Sequence, residues 1–207
     1  MFLIVTRSFP PDIGGMQALM GGLSESLINH GPVKVFTYAS PNSEVYDSKS
    51  QISIERIKSL KIFRKYRKSN IVNNFIKENS NIRAIFTDHW KSLELLQKEY
   101  ISKTKTICLL HSKEINHQEG TYTNKRLVDS TNKADFIIAN SNFTKELAIK
   151  VGINATKINV IFPGISKPKT IKNEYKLEAE KIFGDAFPKI ITVARLEKRK
   201  GHDKILM

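Results

Sequence analysis

Gly14-Gly15 and His111 carry the residue types and settings in this chain best suited to holding a ligand. Gly14-Gly15 follows Phe9-Pro10-Pro11 and precedes Met16, Leu19, Met20, Leu23 and Leu27, whose spacing draws one apolar stripe on a helix. Phe2 to Val5 has the short apolar pattern of a strand buried on both faces. The unit is therefore strand, glycine loop, helix. Two residues without side chains let backbone N–H groups approach a phosphate or sugar beside the helix N-terminus, where the macrodipole favours an anion. A plain tight turn accounts for the same two glycines, and the pattern is neither G-x-G-x-x-G nor a P-loop.

His111 ends the apolar run Thr104 to Leu110, which sets its imidazole at the carboxyl edge of a sheet, where open α/β folds bind ligands. A capping or hydrogen-bond-satisfied histidine is the competing reading. Glu114 stands three residues on, within reach to orient His111 or a substrate. Asp88, His89 and Trp90 likewise follow a strand, Arg83 to Thr87, and are expected on the ligand side, with packing an equal role for Trp90. His111 and His117 match no standard zinc spacing and Cys108 sits in an apolar run, so no metal site is read.

These residues need elements to hold them. Val33 to Thr37, Ile52 to Ile57, Asp135 to Ala139 and Lys157 to Phe162 read as further strands, and Ser40 to Ser50 as a loop. Helical patterns fall at Ile71 to Lys77, from Leu93 to Leu96, around Lys125 to Asn132, and after the capping residues Asn140 to Asn142. Strand and helix alternate at the spacing of right-handed crossovers. Residues 1–162 are expected to form an α/β fold, a Rossmann-like parallel sheet with helices on both faces. Residues 163–188 are expected as a hinge, bracketed by Pro163-Gly164 and Pro168, with a linker helix from Asn173 to Phe183. Residues 189–207 read as a new buried strand, Lys189 to Ala194, then the basic loop Arg195 to Gly201 and the first turn of a helix. Such a strand has no neighbours within the chain, which predicts a second domain of which only the beginning is present.

Of the 207 residues, 40% are hydrophobic and 26% charged, the balance of an ordinary globular protein. One cysteine excludes an internal disulfide and fits a reducing cytoplasm. No stretch approaches the roughly 20 apolar residues of a membrane span. Lys and Arg number 34 against 20 Asp and Glu, a net +14 that suits an anionic partner or reflects base composition alone. The excess is concentrated at Arg56, Lys58, Lys61, Arg64, Lys65, Arg67 and Lys68, interleaved with Ile57, Leu60, Phe63 and Tyr66 at roughly helical spacing. Residues 56–68 are expected either to meet an anionic membrane, peripherally and on its inner face, or to form a solvated helix face whose apolar residues turn inward. No zinc-finger spacing, RNA-recognition signature or arginine-rich tail is present, so no nucleic-acid partner is expected.

Taken in order, Phe9-Pro10-Pro11 to Gly14-Gly15, Asp88-His89-Trp90, His111, Ile138 to Thr144, Pro163-Gly164 and Ala194-Arg195-Leu196 to Lys200-Gly201 resemble the retaining glycosyltransferases of family 4. The resemblance runs through the whole chain. It implies the N-terminal half of a GT-B enzyme, two Rossmann-like domains facing across a cleft, and a hexosyltransferase-type activity. The donor would be a nucleotide-diphosphate sugar, the acceptor a saccharide, lipid-linked or envelope sugar, and the transfer metal-independent with no cofactor. By the same resemblance Gly14 and Gly15 approach the donor phosphates and acceptor pocket, His111 faces the sugar as the catalytic-site histidine, and Arg195 with Lys200 grips the diphosphate. With no metal ion, a departing nucleoside diphosphate does need fixed cations and amide dipoles. The family's base and ribose pocket and its Glu-x7-Glu motif are missing, so the chain is expected to be inactive by itself. The alternatives are a non-catalytic binding module completed by a partner chain, or a basic nucleic-acid-binding domain.

Overall fold

The computed structural model describes residues 1–164, 170–185, 187–194 and 196–205. Strand β1 (Phe2–Val5) leads into α1 (Gly15–Ile28), β2 (Val33–Tyr38) into α2 (Ser43–Lys49), and β3 (Ser53–Ile57) into α3 (Arg64–Glu78). After them β4 (Ala84–Thr87) is followed by the short turns α4 (Trp90–Leu93) and α5 (Lys98–Ile101), and β5 (Lys105–Leu110) by α6 (Ser112–Ile115) and α7 (Tyr122–Thr131). Finally β6 (Phe136–Ala139) feeds α8 (Asn142–Lys150) and β7 (Ile158–Val160). The strands form one 7-stranded sheet in the order β3-β2-β1-β4-β5-β6-β7, and every pairing is parallel. This is the Rossmann-like α/β sheet expected from the alternation of elements.

The pleat sends alternate residues to opposite faces. Leu3 and Val5 of β1 join Phe36, Ile85, Cys108 and Leu110 in a core under α3, α4, α7 and α8, with Trp90, Val72, Leu127 and Ala148. Phe2 and Ile4 join Val33, Val35 and Leu109 in a second core, closed by Met20, Leu19, Leu23 and Leu27 of α1. Helices thus cover both faces, which is why the strands read as continuous apolar runs.

Four expectations are corrected. Ser40 to Ser50 is not all loop, because α2 forms within it. Asn42 supplies a left-handed turn at φ 58, Tyr46 packs edge-on against Phe9 with ring centroids 6.2 Å apart, and Asp47 receives a two-pronged ion pair from Arg56. Residues 57–66 are not one helical stripe. Ile57 ends β3 buried, Leu60, Phe63 and Tyr66 are exposed, and the helix starts only at Arg64. From Leu93 to Leu96 no helix continues: Leu96 N donates to Leu93 O at 3.0 Å in a closing turn, and the Asn73 side chain, donating to Leu95 O at 3.1 Å and accepting from Gln97 N at 3.0 Å, pins the chain as it leaves. Residues 189–194 carry no strand, and Ile190, Ile191 and Val193 are exposed, because among the described residues no strand edge pairs with them.

The chain divides into two compact units, Met1–Gly164 and Ile165–Met207. The first contains the whole sheet. In the second, α9 (Asn173–Phe183) buries none of its residues, and α10 (His202–Ile205) follows a short turn at Lys198–Lys200.

Candidate functional site

In this topology the chain runs outward from β1 to β2 and β3, then returns to place β4 on the other side of β1. Neighbouring loops diverge at such a switch point and leave a crevice at the carboxyl ends of the strands. A polar cleft of about 290 Å³ opens there, lined by Arg7, Ser8 and Asp12 after β1, Met16 of α1, Tyr38 and Ala39 at the end of β2, Arg64 of α3, Asp88 and His89 after β4, and Glu114 of α6.

Asp88 fastens the two loops that form the crevice. It is 2% exposed, and its carboxylate accepts from Arg7 N at 2.9 Å and from Ser92 Oγ at 2.7 Å. His89 begins α4, its Nδ1 accepting from Lys91 N at 2.9 Å, which leaves the proton of the neutral ring on Nε2. Burial, reinforced by the nearby cations Arg7 and Lys91, pushes the pKa of His89 down to about 2, so the ring is neutral at physiological pH. Glu114 has the opposite fate. Burial, with the Asp88 carboxylate adding to it, raises its pKa to about 8 against the opposing pull of Arg7 and Lys91. Glu114 Oε2 lies 3.5 Å from His89 Nε2, yet with both groups neutral this is no ion pair, and the oxygen has no hydrogen-bond partner.

His111 stands at the end of β5, its Nδ1 3.4 Å from Asn140 Nδ2. Its Nε2 is also buried without a partner, and burial lowers its pKa. Asn140 is in turn fixed by accepting from Thr144 Oγ1 at 2.6 Å. Unpaired buried polar atoms are costly, and one in a cleft wall gains from a ligand hydroxyl that pairs it. A neutral carboxyl can donate one hydrogen bond and accept another, as a sugar hydroxyl can, so Glu114 is chemically suited to hold one.

Asp88, His89 and Glu114 are therefore brought together in the cleft wall, while His111 stands at the end of β5 on the same sheet edge and does not line the cleft. Trp90 is fully buried instead, its Nε1 donating to Glu114 O at 3.0 Å and so steadying α6. Gly14 and Gly15 are exposed at the start of α1, flanked by the wall residues Asp12 and Met16 but not part of the wall. Gly14 has extended backbone at φ 165, where an added Cβ would meet Gln17 Oε1 and require only the end of that side chain to move, and open space surrounds the position of a Gly15 Cβ, so neither glycine is demanded by the fold. Lys200 lies in the second unit, its N donating to Glu197 O at 2.8 Å, and Arg195 lies outside the described residues. Sequence reasoning missed Arg7, Ser8, Asp12, Met16, Tyr38, Ala39 and Arg64 as cleft residues. Their only signal was position after β1, β2 and β3, which acquires meaning once the strand order is known. Among the described residues, no three His, Cys, Asp or Glu side chains are grouped to hold a metal ion.

The parallel sheet and its switch-point cleft define a Rossmann-like domain of the kind found in GT-B glycosyltransferases. Glycosyltransferase Family 4 matches residues 13–167, three quarters of the sequence, and the chain belongs to that family. Similar solved structures include HepE from Anabaena in complex with UDP, with 17% identity, 88% of this chain and 50% of that one covered, and a TM-score of 0.63. A glycosyltransferase from Rickettsia africae aligns at 16% identity over 88% of this chain and 49% of that one, with a TM-score of 0.61. The lipopolysaccharide outer core galactosyltransferase WaaB in its apo form aligns at 17% identity over 83% and 48%, with a TM-score of 0.57. The chain spans about half the length of these structures. No curated protein matches it.

Proposed function

We propose that this chain is the acceptor side of a retaining, metal-independent hexosyltransferase. The cleft at the β1–β4 switch point receives the sugar hydroxyl that is to be glycosylated. The observation that carries this reading is Glu114, a neutral carboxyl with a buried unpaired oxygen in the wall of a polar cleft, in a member of Glycosyltransferase Family 4. His111 Nε2, which like Thr37 Oγ1 of β2 is buried and unpaired, hydrogen-bonds the transferred sugar or its acceptor without abstracting a proton. The acceptor is a saccharide or lipid-linked sugar of the cell envelope, and the donor is a nucleotide-diphosphate sugar. HepE was solved with UDP-glucose, which supports that donor class. Arg195 and Lys200 grip the donor diphosphate, and Gly14 and Gly15 offer backbone N–H groups to it.

The chain alone transfers no sugar and acts in a reducing cytoplasm, where its single buried thiol persists. Saturation-transfer NMR on the whole chain tests the reading. Monosaccharides and short saccharides should show contacts that Glu114→Gln weakens, and UDP-glucose or UDP-galactose should release no UDP over hours. Absence of any saccharide contact at millimolar concentration would refute the acceptor site, and appreciable UDP release would refute inactivity. A second reading, a binding module completed by a partner chain, is favoured by the exposed Ile190, Ile191 and Val193. Co-purification of a stoichiometric partner lost on Ile191→Ser would support it.

A further inference from the structure

The segment between β3 and α3 is unlike the rest of the surface. Leu60 is 72% exposed, Ile62 70%, Phe63 57% and Tyr66 51%, so four large apolar side chains stand in solvent within seven residues. Lys58, Lys61, Lys65 and Arg67 are interleaved with them and exposed, and no acidic residue occurs between Glu55 and Glu78. The remaining cations of the run are used internally. Arg56 is engaged with Asp47, Ser40 and Pro10, Lys68 is buried with its Nζ donating to Thr6 O at 2.7 Å, and Arg64 lies over the Tyr38 ring in the cleft wall.

Local geometry holds the apolar and basic side chains as one surface. Phe63 N and Arg64 N both donate to Leu60 O at 3.0 Å, closing a turn that runs straight into α3, and Arg67 N donates to Phe63 O. Phe63, Tyr66 and Arg67 consequently share a side of the first helical turn. A fold does not ordinarily leave so dense an apolar group exposed unless something covers it.

We propose that residues 58–67 dock this protein onto an anionic lipid bilayer. Leu60, Ile62 and Phe63 enter the headgroup boundary, and Lys58, Lys61, Lys65 and Arg67 meet the acidic headgroups. The charge selects this occupant: a ring of cations around an apolar centre complements a negatively charged surface with an apolar interior. The docking segment emerges from the carboxyl edge of the sheet, the edge that also forms the cleft, and Arg64 belongs to both. If the cleft holds the acceptor, as proposed above, docking presents it to the bilayer, and the acceptor is lipid-linked.

The test is flotation of the full chain with vesicles of phosphatidylcholine and phosphatidylglycerol, against phosphatidylcholine alone. Binding is expected only to the anionic vesicles. The triple substitution Lys58→Gln, Lys61→Gln, Lys65→Gln should lower partition about a hundredfold, roughly fivefold for each lysine. Leu60→Ser with Phe63→Ser should lower it about tenfold or more. The control Lys98→Gln, Lys103→Gln, Lys150→Gln removes the same charge from other exposed positions and should cost less than about fourfold. Equal losses in the control and the patch variant, or no partition by the unaltered chain, would overturn the proposal. Capture by random-sequence DNA without vesicle binding would overturn it as well. Unchanged melting of each variant establishes that it is folded. Saccharide contacts in the cleft should survive the lysine substitutions, so failure of docking and failure of the acceptor site are read separately.

Discussion

A carboxyl that stays protonated near neutrality is the residue-scale feature with the clearest consequence. The unfolded Glu114 side chain titrates near the ordinary value of about 4.3, whereas in the fold burial raises it to about 8. Below about pH 4 both states hold the proton. As pH rises towards 8 the unfolded chain releases it while the folded chain keeps it, so the stabilising contribution is progressively lost and is gone above about pH 8. With a fifth of this side chain still exposed, the loss is about 2 kcal/mol, below what the full shift would give. His89 and His111, whose pKa values burial lowers, act with the opposite sign between pH 5 and about pH 6.5, so the decline is read as a difference: the urea-unfolding free energy of the unaltered chain minus that of Glu114→Gln should fall by about this amount from pH 5 to pH 8. Asp88 makes the opposite kind of contribution, because its carboxylate satisfies two donors inside the crevice. Asp88→Ala should cost about 2–4 kcal/mol in urea unfolding and also weaken saccharide contacts, since the β1–α1 and β4–α4 loops lose their common fastening. Conservation of the global melt with loss of contacts alone would mean that Asp88 touches ligand and does not brace the loops.

At the scale of elements, caps and glycines separate fold from function. Ser141 Oγ accepts from Thr144 N at 3.2 Å and starts α8, so Ser141→Ala should cost about 1 kcal/mol in chemical denaturation. Gly15 begins α1 with nothing within 4 Å of an added Cβ. Gly15→Ala should therefore leave the melting temperature unchanged or slightly raised, as measured by circular dichroism. If the same substitution abolishes binding of a nucleoside diphosphate to a complete donor site, the glycine is there for close approach of a ligand. The helix α2 and the turn after α4 are elements that local signals misjudged, and in both the deciding contacts come from elsewhere: Arg56 of β3 for α2, Asn73 of α3 for the turn after α4.

Over the whole molecule, the sheet and its two apolar layers lie in the first unit, and α9 of the second buries nothing. A chain ending at Gly164 should melt within a degree or two of the full one, and limited trypsin digestion should cut the second unit first. Loss of folding on that truncation would show that the second unit supports the sheet. Cys108 is fully buried and its thiol is pushed up to about 12, so an aromatic disulfide reagent at pH 8 should leave it unmodified until denaturant unfolds the sheet.

The sequence by itself determined the layered fold. A continuous apolar strand such as Leu3 to Val5 tolerates only a position covered on both faces, and the stripe of Leu19, Leu23 and Leu27 only a helix lying on one of them. It also marked Asp88, His89, His111 and Glu114, because a polar residue just past a buried strand must stand at the sheet's edge. Tertiary structure alone decided that Arg7, Tyr38 and Arg64 join Asp88 and Glu114 around one cleft. That gathering depends on β4 lying next to β1, a pairing of segments some eighty residues apart that no local pattern encodes. It decided too that Leu60, Ile62 and Phe63 face solvent, since periodicity shows that residues share a side but not whether anything lies against it.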